Sequence, residues 1–151
     1  MTLTFSNDSM YVDINQIENS FEYASSGKKL LLEYQMLLSS YEAVLNEEYR
    51  KAILDSCCAV EIVLTNLIEK FCIEKGIEKN ILLDKHRTLG EKFKLAIKID
   101  KQFPKIDTKE KIVDVRNNMI HLKDIFPSEE ETKTLIENVE VIIHHYSKEY
   151  Y

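Results

Sequence analysis

Tryptophan is absent from this chain of 151 residues, which holds only three glycines and two prolines. So few turn-formers exclude an architecture of many short strands and leave little to interrupt a helix. Cysteine is also sparse: Cys57, Cys58 and Cys72 fall in one segment, with no Cys-x-x-Cys pair and no second cluster. Neither a disulfide framework nor a metal site is expected from them, and they read as small buried hydrophobes. No apolar run approaches the length of a bilayer, and residues 1–9 lack the basic and apolar regions of a secretory signal. A cytoplasmic protein with no membrane association, metal or cofactor is expected.

What the chain does contain is charge and helical periodicity. Apolar residues make up 44% and charged residues 30%, the balance of a single soluble globular domain. The net charge of −6 argues against broad, nonspecific nucleic-acid binding. Its distribution is uneven, because Lys85 to Lys111 carries nine basic residues against four acidic ones. Those basic residues are either a solvated helix face or the path of an RNA backbone.

Residues 1–24 lack helical periodicity and read as an arm, followed by a bundle over 25–151. Leu30, Leu31, Tyr34, Leu37, Leu38, Tyr41 and Leu45 recur at three-and-four spacing and predict a helix over 28–45. Asn46 is a candidate cap for a second helix carrying Ile53, Cys57, Val60, Leu64, Leu67, Ile68 and Phe71, with its end near Gly76. A loop is expected through Asn80 and Asp84. Three capping boxes then open helices: Thr88 to Glu91, Asp107 to Glu110, and Ser128 to Glu131. Pro104 is expected to end the third helix. No segment alternates as a strand, so the fold class is all-α, a bundle of about five helices.

The fourth predicted helix carries Arg116-Asn117-Asn118-Met119-Ile120-His121. Asn117 and His121 are four apart and share a bearing on an ideal helix. Arg116 falls instead between Ile112 and Ile120, on the side that should be packing, so it needs a carboxylate, an interface or a ligand. Glu61 lies at the edge of the second helix's apolar stripe, where it either pairs with Arg116 or reaches to solvent. Asp114 lies two turns before His121 and either fixes the imidazole tautomer or sits in solvent. His86, His144 and His145 lack comparable context and read as surface or packing residues.

The helix order, the Thr88-Leu89-Gly90 helix start and the R-N-x-x-x-H run together resemble the HEPN domain. The stretch Cys58-Ala59-Val60-Glu61-Ile62-Val63-Leu64 is also similar to the A-x-E-x-x-L type of segment in that family's second helix, and the likeness spans about residues 25–148. The resemblance implies a homodimeric, metal-independent endoribonuclease of a toxin–antitoxin or antiviral defence system, with two motifs meeting in one cleft. Its partners would be RNA, a second copy, and a cognate antitoxin or other defence-system protein. His121 would transfer protons, Arg116 stabilise phosphate charge and Asn117 orient the imidazole or a phosphate oxygen, with Glu61 and Asp114 in support. Lys85, Arg87, Lys92, Lys109, Lys111 and Lys123 would approach the RNA backbone. The alternative within the same family is a noncatalytic module that binds RNA, a nucleotide or a partner protein. Lys123 occupies the place where a tyrosine follows the motif in members controlled by nucleotide transfer, so that control is not expected.

Overall fold

The longest stretch free of glycine and proline, residues 28–75, contains the spine of the bundle. In the computed structural model, which describes residues 22, 25–27, 29–121 and 126–147, this spine runs over Tyr49–Lys75. At about 1.5 Å per residue a helix of this length reaches about 40 Å. The chain divides into two units, Met1–Leu30 and Leu31–Tyr151. Within the first, the Glu22 carbonyl accepts from Ser25 Oγ and from the Ser26 amide. The expected arm otherwise lies outside the described residues.

Among its described residues the second unit holds six α-helices: α1 (Leu32–Leu45), α2 (Tyr49–Lys75), α3 (Lys79–Lys85), α4 (Leu89–Ile99), α5 (Asp114–His121) and α6 (Glu129–Tyr146). A single π-helical turn, Lys109–Val113, leads into α5. No strand occurs among the described residues. The all-α bundle expected from periodicity is what the chain forms. The other helices turn apolar residues to α2, whose Ile53, Val60, Leu64 and Ile68 are fully buried along with Phe93, Leu135, Val139, Ile142 and Ile143; even short α3 sets Leu82 and Leu83 against Ile68 and Cys72. Burying such side chains contributes about 1.5–3 kcal/mol each before conformational entropy is counted against them.

Polar clamps fix the helix pairs at their margins. Ser39 Oγ donates to Asp55 Oδ2 at 2.7 Å, and Lys51 Nζ joins the same pair, tying α1 to α2. The Tyr41 hydroxyl donates to Glu140 on α6, whose other oxygen lies 3.2 Å from His144 Nε2. Burial and that hydrogen bond push the Tyr41 hydroxyl far above its ordinary pKa, so it remains a donor. Near the same end of α6, the hydroxyl of its last residue, Tyr146, donates to Asp100 Oδ2 at 2.6 Å.

Four boundaries depart from the sequence expectation. Helix α1 begins at Leu32 rather than Lys28, with Lys29 to Leu31 nonhelical. Asn46 caps nothing; it closes α1, and α2 starts after Glu48 without a side-chain cap. The expected loop through Asn80 and Asp84 is α3, two turns too short to display a period. Helix α4 stops at Ile99, five residues before Pro104, because Asp100 is held by Tyr146 and by the Gln102 amide at 2.8 Å. Thr88 and Ser128 form complete capping boxes. Asp107 forms half of one: its carboxylate accepts from the Glu110 amide at 3.0 Å, while Glu110 turns to Lys111.

Candidate functional site

The site is built from α5 upward. Asp107 starts the segment, and the π-helical turn spreads its residues to more than 3.6 per turn, so the phase carried from Ile112 shifts before the motif is reached. Ile112 is fully buried, and Met119 becomes the buried residue of α5. Arg116 and Asn117 come to lie at the half-buried margin, and Asn118, Ile120 and His121 are exposed. The expected burial of Arg116 between Ile112 and Ile120 is thereby relaxed to a boundary position. Val113 presses on the start of α4, with its Cγ1 3.4 Å from where a Cβ on Gly90 would stand.

Arg116 Nη1 donates to Asn117 Oδ1 at 3.2 Å. The motif's amide therefore orients the guanidinium, rather than the imidazole whose bearing it shares. Across from them lies the Cys57–Cys58 turn of α2. Burial pushes the Cys57 thiol up to about 12, against the opposing pull of the Arg116 guanidinium. Cys58 is exposed; its thiol is raised by partial desolvation, then by Glu61 and Asp55, again with Arg116 opposing. Among the described residues no carboxylate stands within ion-pair distance of Arg116. The His121 ring makes no hydrogen bond among them either.

Two supporting residues are committed elsewhere. Glu61 is bound by Lys92, whose Nζ donates to Oε1 at 2.7 Å and to Thr65 Oγ1 at 3.2 Å, so the carboxylate joins α2 to α4 instead of holding Arg116. Asp114 pairs with Lys109 at 3.6 Å on the surface. At 1.5 Å per residue it stands about 10 Å along the axis from His121, too far to fix the imidazole tautomer. The same network removes Lys92 from the basic path, since its side chain is 12% exposed. Lys85, Arg87, Lys109 and Lys111 are exposed, with Arg87 lying 3.4 Å from Asp84 and the last two paired to Asp114 and Glu110. Lys123 lies outside the described residues.

No protein-family model, curated protein or solved structure matches the chain.

What the arrangement can do chemically follows from its side chains. An exposed imidazole offers one ring nitrogen that can accept a proton and another that can give one. A guanidinium with no carboxylate partner presents a planar fork suited to phosphate oxygens. The Lys92–Glu61–Thr65 network escaped the sequence reading. Its one legible trace was the four-residue spacing of Glu61 and Thr65 on a helix.

Proposed function

We propose that this protein is a HEPN-type endoribonuclease acting as a homodimer in a toxin–antitoxin or antiviral defence system. The observation that carries the reading is a guanidinium without a carboxylate partner among the described residues, oriented by its neighbouring amide, five residues from an exposed imidazole on one short helix. In this reaction a 2'-hydroxyl attacks the adjacent phosphorus, the 5'-oxygen leaves, and a 2',3'-cyclic phosphate and a 5'-hydroxyl result. One imidazole removes the 2'-hydroxyl proton and another protonates the leaving oxygen, which calls for His121 from each of two copies. Arg116 stabilises the additional negative charge on the phosphorane oxygens, and Asn117 sets the direction of its fork. Lys85, Arg87, Lys109 and Lys111 form the approach for the RNA backbone, with their surface ion pairs opening at small cost.

The test is cleavage of a structured RNA in EDTA by wild type, His121→Ala and Arg116→Ala, with sedimentation run beside it. The reading expects a dimer at micromolar concentration and losses of at least about 100-fold in both variants. Equal cleavage by all three proteins rejects it. One observation favours a second reading, a noncatalytic HEPN module for RNA, a nucleotide or a partner protein: within one chain nothing described fixes the His121 tautomer. RNA bound by wild type but left intact supports that reading.

A further inference from the structure

Among the described residues, a carboxylate remote from α5 has no cation within ion-pair distance. Glu33, in the first turn of α1, is 7% exposed. Its one hydrogen bond among the described residues comes from Ser147 Oγ to Oε1, at 3.4 Å. That is long for a bond to a charged acceptor. The amides of the first turn of α1 favour a negative charge there, but they offset only part of the cost of burying one. Glu33 opens onto a cleft between the start of α1, the middle of α2 and the end of α6, lined also by Val63, Asn66, Leu67, Lys70 and Tyr146. The Tyr146 hydroxyl is committed to Asp100 and does not serve Glu33.

We propose that this cleft binds a small primary ammonium compound. The ammonium donates to Glu33 and to the Asn66 amide oxygen, and the carbon stem lies along Val63 and Leu67. An ammonium supplies the positive charge that Glu33 lacks among the described residues, and a short alkyl stem matches the apolar wall. The exposed Lys70 at the rim repels a second positive charge, which selects a monovalent cation over a polyamine or a divalent metal ion. The site is independent of the Arg116–His121 reading.

Isothermal titration of the full chain with n-butylammonium chloride tests it, with tetramethylammonium chloride and sodium butyrate as comparisons. Saturable binding with a dissociation constant on the order of 1 mM is expected for butylammonium alone, as befits five non-hydrogen atoms. Glu33→Gln is expected to weaken it at least about tenfold. Leu67→Lys places a tethered ammonium in the cleft, and is expected to abolish the titration while raising the melting temperature. If Glu33→Gln does not fold, Leu67→Lys decides. Absence of saturation in wild type, equal binding of tetramethylammonium, undiminished binding by folded Glu33→Gln, or retained binding by Leu67→Lys would each overturn the proposal.

Discussion

Lys92 shows how one side chain changes the meaning of its neighbours. Its stem crosses from α4 to α2, and its ammonium satisfies Glu61 and Thr65 together, at 2.7 and 3.2 Å. Truncation to alanine leaves the Glu61 carboxylate beside the apolar stripe without its cation. A loss of about 1–2 kcal/mol is expected, less than for a fully buried pair because Glu61 is 36% exposed. Denaturant unfolding of Lys92→Ala checks this, and an unchanged midpoint would contradict it. The three thiols give a second residue-scale expectation. Cys57 and Cys72 are buried and Cys58 is exposed. A thiol reagent added to the native protein should modify Cys58 first, and protection of Cys58 by added RNA would place the ligand against the α2–α5 edge. Modification of Cys57 at the same rate as Cys58 would contradict the packing.

At the scale of elements, α1 and α2 end in the same way with unequal residues. After α1 the Glu48 amide bonds the Ala43 carbonyl at 2.8 Å and the Glu47 amide bonds Val44. After α2 the Ile77 amide bonds Cys72 and the Gly76 amide bonds Ile73. This closure needs one left-handed residue, and Gly76 (φ 65°) supplies it without strain while Glu47 (φ 60°) does not. Glu47→Gly is therefore expected to stabilise the protein by about 0.5–1 kcal/mol, and Gly76→Ala to destabilise it by about 1 kcal/mol. Both are read from thermal unfolding. Shifts of the same sign would refute the comparison.

The elements also show what a one-dimensional reading can carry. The Thr88 and Ser128 boxes were legible because capping is local: the side chain and the amide it serves are three residues apart. The stripes of α2 and α6 were legible because they repeat over many turns. Helix α3 was not, with seven residues and no buried side chain, and neither was the π-helical turn, which follows from how Ile112 and Val113 pack. In the candidate site the sequence placed Arg116, Asn117 and His121 on one helix. The partner of Glu61 depended on a tertiary contact that a sequence does not display, since Lys92 stands 31 residues away, whereas Asp114 takes the surface position that was one of the two expected for it.

For the whole molecule, acid sensitivity follows from three carboxylates. Asp100 is held below its ordinary pKa chiefly by the Tyr146 hydroxyl, Glu91 by the Thr88 amide and hydroxyl, and Glu129 by Lys133. A lowered folded-state pKa contributes stability that is present above the ordinary carboxylate value of about 4. That contribution is lost as pH falls from there through the lowered value. Asp100→Asn should thus be less stable than wild type at pH 6, with the difference shrinking below about pH 4. A difference independent of pH would show that Asp100 acts only through packing. Tyr146 remains a donor throughout, because burial and Asp100 push its pKa far above the ordinary range.

The bundle presents Arg116 and Asn117 at the margin of one helix and His121 exposed at its end, and the proposed function is tested by what they do to RNA. The most direct measurement is end-group analysis of RNA fragments produced in EDTA by wild type, Arg116→Ala and His121→Ala. The proposed ribonuclease would leave 2',3'-cyclic phosphate and 5'-hydroxyl termini in the wild-type digest, with fragment yield collapsing in both variants. Fragments with 3'-hydroxyl and 5'-phosphate termini, or the same yield from His121→Ala as from wild type, would contradict it.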